Sequence, residues 1–338
     1  MLPENAGRWK TPAGITLLSV LYFSAVLLRS RPQNERPVLI RNATLWTSAN
    51  NGTDVARGGD VLLDKGLIIA LGSIPVHLTR PANLEIVDAQ GKWITPGIVD
   101  AHSHLGVGSA PRLSGASDSN SRKAPIPPWL RNIDGINTHD LAYRLSMSVG
   151  ITTAQIVPGS ANNIGDQSFL IKLRPTAERS TSPMLLEPPH TLSLNESDGP
   201  PRWRHMKHAC GENTLRVHSQ TRMDAAWNFR QAYNEARKIK DAQDAFCAVV
   251  ENGLWDGESP YTESLQWEAL VDVLRGNVKV SVHCYEPVGL DSLIRVASIH
   301  HATSTYLVPD TQTGMGRPTG NRTVRLRLQV LYSFPHFT

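Results

Sequence analysis

The chain has 338 residues, 40% of them hydrophobic and 19% charged, a composition that excludes a polypeptide disordered throughout and leaves room for one large domain beside a smaller one. Its formal net charge of +4 is modest, and its Lys and Arg are scattered without interleaved aromatic residues, so no nucleic-acid partner is expected.

From the N-terminus, Ile15 to Leu28 (ITLLSVLYFSAVLL) carries no charge and is flanked by Arg8 and Lys10 on one side and Arg29 and Arg31 on the other. A run of about 14 apolar residues suits a signal-peptide core, whereas a spanning helix needs about 20. No small-x-small cleavage site follows Leu28, so residues 1–37 read as an uncleaved signal anchor and linker, with secretion as the alternative and a buried core helix as the third reading. The acceptor patterns Asn42-Ala-Thr44, Asn51-Gly-Thr53, Asn195-Glu-Ser197 and Asn321-Arg-Thr323 fit a glycoprotein with its body in the lumen or outside the cell. Cys210, Cys247 and Cys284 define no disulfide framework, and an odd number leaves at least one thiol free.

Residues 38–92 form a small β layer in prospect. Val38 to Trp46, Val61 to Leu71 and Leu84 to Val87 are β-branched and apolar, punctuated by Asn-Gly, Gly-Gly and Pro-Ala. From residue 93 the pattern becomes strand-helix alternation: Ile94 to Val99 as strand, a helix around His139 to Val149 capped by Asn137 or Thr138, then Thr152 to Val157 as strand. Further helices are predicted at Met223 to Gln243, Ser264 to Leu274 and Leu290 to Ala297. Asn277 to Glu286 (NVKVSVHCYE) alternates as a strand, with Val278, Val280 and Val282 on one face and Lys279, Ser281 and His283 on the other. Together these predict βα units around a parallel sheet.

The chemistry concentrates in ITPGIVDAHSHLG, Ile94 to Gly106. Side chains of a strand alternate faces, so His102 and His104 point the same way and reach one point at the strand's end. The run Pro96-Gly97-x-Val99-Asp100-x-His102-x-His104 resembles the first-strand metal motif of the amidohydrolase superfamily, and Asp64-Lys65-Gly66 followed by Leu67-Ile68-Ile69 resembles the strand-turn-strand that precedes it. The resemblance implies an α/β fold, a (β/α)8 TIM-type barrel beside a small N-terminal β-sandwich, and a divalent metal ion such as zinc. It also implies hydrolysis of carbon-nitrogen bonds, outside peptide chains, in a small-molecule substrate.

By the same resemblance, His283 ends strand five and His301 of the pair His300-His301 ends strand six, although Ser304 stands where a Glu is common. MKHACGEN, Met206 to Asn213, is similar to a Lys-x-x-x-Gly-Glu-Asn run of an imidazolonepropionase-like subgroup that also includes fungal proteins called carbohydrate esterase family 9. Glu212 or Lys207 then supplies the strand-four ligand. Glu212 is preferred, because lysine must first be carboxylated. The implied metal ligands are therefore His102, His104, Glu212, His283 and His301, with Asp100 behind them and no residue assigned as proton acceptor. His205 and His208 read as solvent-exposed, and Cys284 as a packed core thiol.

Between His283 and His301 a crossover helix leaves no room for a sixth strand, and the strand-eight aspartate of the family has no candidate. Residues 93–308 thus read as an incomplete, C-terminally truncated barrel with an anomalous basic tail at 309–338, and hydrolysis is expected to be impaired. A non-catalytic membrane-tethered remnant that binds metal weakly, and an amino-sugar N-deacetylase, are the rival expectations.

Overall fold

The computed structural model describes residues 36–65, 67–176, 178–186, 204–253, 260–300 and 305–309. The apolar segment from Ile15 to Leu28, the acceptors Asn195 and Asn321, His301 and the basic tail lie outside the described residues. Among those described, no helix is long and apolar enough to cross a membrane. The described residues divide into two compact units, one formed by those up to Ile98 with Arg174–Met184, the other by Val99–Leu173 and the described residues from Leu185 onward.

The first unit holds a five-stranded sheet ordered β3-β2-β1-β4, with β5 also on β1. Its strands are β1 (Val38–Trp46), β2 (Val55–Asp64), β3 (Leu67–Gly72), β4 (Glu85–Asp88) and β5 (Trp93–Ile94). The predicted Val61 to Leu71 strand is in fact two antiparallel strands, β2 and β3, and Lys65, at φ 51°, lies in the turn between them. Asn42, at φ 58°, shifts the register of β1 against β2, after which Ala43 and Leu45 turn inward to pack with Val61 and Ala89. Where a sandwich was expected, the described residues of this unit form one sheet, with Leu67, Ile68, Ile86 and Trp93 exposed.

The second unit is built on a six-stranded sheet ordered β11-β10-β9-β8-β7-β6. In chain order its strands are β6 (Ile98–Ser103), β7 (Ile151–Ile156), β8 (Ile164–Lys172), β9 (Arg204–Ala209), β10 (Val278–Cys284) and β11 (Thr305–Pro309). The sheet is mixed, not wholly parallel: β8 runs antiparallel to both β7 and β9, while β9, β10 and β11 are parallel. The cause is loop length. Residues 157–163 join β7 to β8, and a parallel crossover takes about a dozen residues or more, so the chain can only return as a hairpin. A further strand does exist, but beyond His301 and not between His283 and His301, where no room was expected. Helix α5 (Pro287–His300) is followed by β11, which pairs with β10 from Val280↔Thr305 to Cys284↔Pro309.

Helix α1 (Ala142–Ser148) has Leu141 at its N-cap and no side-chain cap, where Asn137 or Thr138 was expected, and it begins two residues after Asp140. Asp140 Oδ1 accepts from the backbone N–H of Ala142 (2.9 Å) and Ala110 (2.9 Å), and its Oδ2 from that of Gly106 (2.8 Å), so one buried carboxylate anchors the loop that leaves His104. Helix α2 (Glu212–His218) and helix α3 (Arg222–Glu251) follow β9. Helix α3 opens on a capping box in which Thr221 and Asp224 satisfy each other's backbone N–H. It buries Ala225, Asn228, Phe229, Ala232, Tyr233 and Ala236, a stripe spaced by three and four, against the outer face of the sheet. Val278, Val280 and Val282 of β10, Met206 of β9 and helix α4 (Glu268–Leu274) complete that core. Burying one such Phe or Val side chain contributes about 1.5–3 kcal/mol.

Candidate metal centre

On the inner face of this sheet the apolar pattern stops. Ser281 and His283 of β10 alternate with the core valines, and Ser281 stands opposite Lys207 of β9. Gln155 of β7 donates to Ser281 Oγ (3.2 Å) although two strands separate β7 from β10, so the sheet curls enough for its inner side chains to meet.

His102 and His104 project from the end of β6 with ring centroids 5.3 Å apart and planes at 89°. His104 Nδ1 lies 2.8 Å from the carbonyl oxygen of Val157, the residue that follows β7. A carbonyl only accepts, so the proton is on Nδ1 and Nε2 keeps its lone pair. Asp100 Oδ1 accepts from the backbone N–H of His102 (3.0 Å), which fixes the strand end without reaching the imidazoles' ligating edge.

Lys207 enters from β9 and is 1% exposed, with Nζ 3.3 Å from His102 Nε2. Burial pulls its ammonium down to about 7. His102 is pushed to about 3, first by burial and then by the positive charges of Lys207, His104 and His283, and His104 is lowered mainly by burial. At neutral pH these imidazoles are therefore uncharged, the form that binds a metal ion. His283, one step above Ser281 toward the strand's C-terminal end, belongs to the same electrostatic group.

A buried carboxyl on the neighbouring strand was not foreseen. Ile164 pairs with His208 and Gln167 with Met206, so the bulge between them sets both Gly165 and Asp166 opposite Lys207. Asp166 is 6% exposed, its Oδ1 makes no hydrogen bond, and burial raises its carboxyl to about 7.

Glu212 stands apart from this group. The strand ends at Ala209, Gly211 turns the chain, and Glu212 falls in the first turn of α2, where Oε1 accepts from Arg222 Nη2 (3.1 Å) and the side chain is 42% exposed. Alternation along β9 gives the inner face to Lys207 instead. His208 is buried, not solvent-exposed. On the outer face it shares a 2.7 Å hydrogen bond with Tyr233 and packs beside Phe229. His301 lies outside the described residues, and the strand to which it was assigned ends at Pro309. Cys284 faces the core as expected but is joined in a disulfide with Cys210, leaving Cys247 as the free thiol among the described residues.

Among the described residues no three His, Cys, Asp or Glu side chains gather closely enough to hold a metal ion by themselves. The group that does gather includes a lysine. Neutral imidazoles with an available Nε2 and a buried amine fit a divalent cation when the amine is carboxylated, since the ammonium itself offers only donors.

No family profile matches the chain. It is 37% identical to amidohydrolase tasK of Hapsidospora irregularis across 84% of this chain and 31% of that protein. It is 33% identical to an imidazolonepropionase of Mesorhizobium japonicum across 35% of this chain and 33% of that enzyme. The chain thus spans about a third of the length of these curated relatives. Among solved structures, an amidohydrolase from Thermotoga maritima MSB8 superposes with a TM-score of 0.61 at 26% identity, over 80% of this chain and 64% of that one.

Proposed function

The chain belongs to the amidohydrolase superfamily, and from that membership we propose that it is a metal-dependent hydrolase of a carbon-nitrogen bond, outside peptide chains, in a small molecule. The observation that carries the reading is the buried Lys207 amine 3.3 Å from Nε2 of His102. A lysine held well below its ordinary range is partly unprotonated near neutral pH, and an unprotonated amine attacks carbon dioxide. The N–C bond forms as one C=O π bond of carbon dioxide opens and the amine's proton passes to solvent, so that carbamate oxygens, which accept, stand where an ammonium could only donate.

His102, His104 and carboxylated Lys207 would then hold a divalent ion, with His283 drawing in to complete the set, and zinc is the expected metal because imidazole nitrogen and carboxylate-type oxygen suit it. Such an ion supplies Lewis acidity toward a carbonyl oxygen and lowers the pKa of water. The chain's own residues do the rest. Val157 holds the tautomer of His104, Asp100 fixes the end of β6, and burial keeps the imidazoles neutral. The same reading keeps the segment from Ile15 to Leu28 as a membrane anchor with a lumenal or extracellular body. It is supported by Asn51, an exposed acceptor in the turn Asn50–Gly52.

The test is to load the full chain with zinc in bicarbonate buffer and assay cyclic ureides, N-acyl amino acids and N-acetyl sugars. Turnover that is lost with chelator and with His102→Ala is expected. Turnover indifferent to both overturns the reading, and tight zinc binding without turnover on any of the three classes leaves a metal-binding module in its place.

A further inference from the structure

The residues just beyond β9 and β10 make a second layer around the centre. Cys210 donates its backbone N–H to the carbonyl of His283 (3.0 Å), and its sulfur is bonded to that of Cys284, so the centre's strand-five histidine and the residue after it are both tied to the end of β9. Tyr285 stands next, its ring packed edge-on to the His283 imidazole with centroids 4.5 Å apart and planes at 82°. The Tyr285 hydroxyl accepts from Asn213 Nδ2 (3.0 Å), and the same amide donates to Ser160 Oγ (2.7 Å) in the loop after β7. Gly211 makes the approach possible, since a Cβ there would lie 3.1 Å from Tyr285 Cδ2.

We propose that Tyr285 is a positioning residue for His283, its ring the wall that sets the imidazole's orientation and its hydroxyl moored through Asn213 to Ser160. The role rests on His283 being a metal ligand of the proposed hydrolase. A ligating imidazole free to rotate loses affinity for its ion, and partners behind a ligand are typically worth about 10–100-fold. A half-buried tyrosine with its hydroxyl held at a fixed point cannot swing away from the imidazole. The chain places that fixed point on a different loop from the histidine itself, so three strand ends share one restraint.

The experiment has two arms on the full chain. In the first, with no metal, the ring resonances of His283, assigned by comparison with His283→Gln, are followed in protein carrying isotope-labelled histidine. Tyr285→Phe keeps the wall and removes the mooring. It should broaden or split the His283 signals, and Asn213→Ala should do the same. In the second, cobalt(II) binding is titrated by its visible absorption. Tyr285→Phe and Asn213→Ala should each weaken it about tenfold, and the double variant no further, because both cut one connection. Circular dichroism and thermal melting confirm that each variant is folded, and Asn213→Asp replaces any alanine variant that is not. Unchanged His283 signals in Tyr285→Phe, or full additivity in the double variant, overturn the proposal. Wild-type chain that binds no cobalt overturns the metal reading instead, and the first arm then still decides whether Tyr285 positions His283.

Discussion

Lys207 Nζ and His102 Nε2 lie 3.3 Å apart although 105 residues separate them in the chain. The contact makes Lys207 the residue of β9 that meets the histidines, and it separates two candidates that a single sequence left open. Replacing Lys207 with Ala is expected to weaken zinc or cobalt affinity at least about 100-fold, with partial recovery on adding acetate or another small carboxylate. Glu212→Gln, which only loses an exposed pair with Arg222, should change affinity less than about threefold. Isothermal titration of both variants decides it, and the reverse ranking would return the ligand role to Glu212.

The metal-free chain should be least stable in acid and gain stability as pH rises: burial lowers His102 and His104, so the stability they contribute is present above their ordinary 6.5 and is lost as pH falls, while Asp166 and Lys207 shape the profile on either side of neutrality. Burial raises the carboxyl of Asp166 from its ordinary 3.8 to about 7, so the stability this group contributes is fully present below about 3.8 and is lost as pH rises to about 7. Burial lowers Lys207 to about 7 against 10.5, so its cost is fully present below about 7 and is relieved as pH climbs toward 10.5. Denaturant midpoints measured from pH 4 to pH 10 should rise overall. Asp166→Asn should steepen the rise below pH 7 and Lys207→Met should flatten it above. A variant whose midpoints keep the wild-type pH dependence contradicts the burial of the group it replaces.

Thiol counting gives a direct check on the sulfur chemistry. With Cys210 and Cys284 bonded and Cys247 exposed, the native unreduced protein should take up one equivalent of a thiol reagent, and the reduced, denatured chain three. The bridge spans 74 residues, and removing it with Cys210→Ser should cost about 2–4 kcal/mol of stability, lowering the melting midpoint. Three reactive thiols in the native chain would show that the bridge is absent.

Much of this molecule is legible in one sequence, and the unreadable parts share a cause. His102, His104 and His283 announce themselves because period-two alternation and a Pro-Gly turn fix both strand and face. Strand β1 has the predicted bounds, Val38–Trp46, for the same reason. Strand β9 hid because its alternation mixes His205 and Lys207 on one face with Met206 and His208 on the other, so polarity does not mark the inside. The antiparallel run of β8 depends on counting loop residues between strands, and β8 itself, with Gly165, Asp166 and Gln167 at its start, carries no apolar alternation there. Asp166 is invisible to any residue-type argument, since only the bulge brings it opposite Lys207. The place of Glu212 was not legible, because Gly-Glu-Asn is equally the start of a helix.

The tight return between β7 and β8 has a consequence for how the molecule comes into being. A seven-residue closure costs little chain entropy, whereas joining β6 to β7 or β9 to β10 must first enclose far longer stretches. The hairpin is therefore expected to be present when the folding barrier is crossed, with the parallel strands added afterwards. Conservative truncations at Ile156 and Ile171, both fully buried in the hairpin, should slow folding and scarcely alter unfolding. The same changes at Val280 and Val282 should mainly speed unfolding. Stopped-flow kinetics showing the opposite partition would mean that nucleation begins among the parallel strands, on the side of the sheet where the chain is still being made when the hairpin has already emerged.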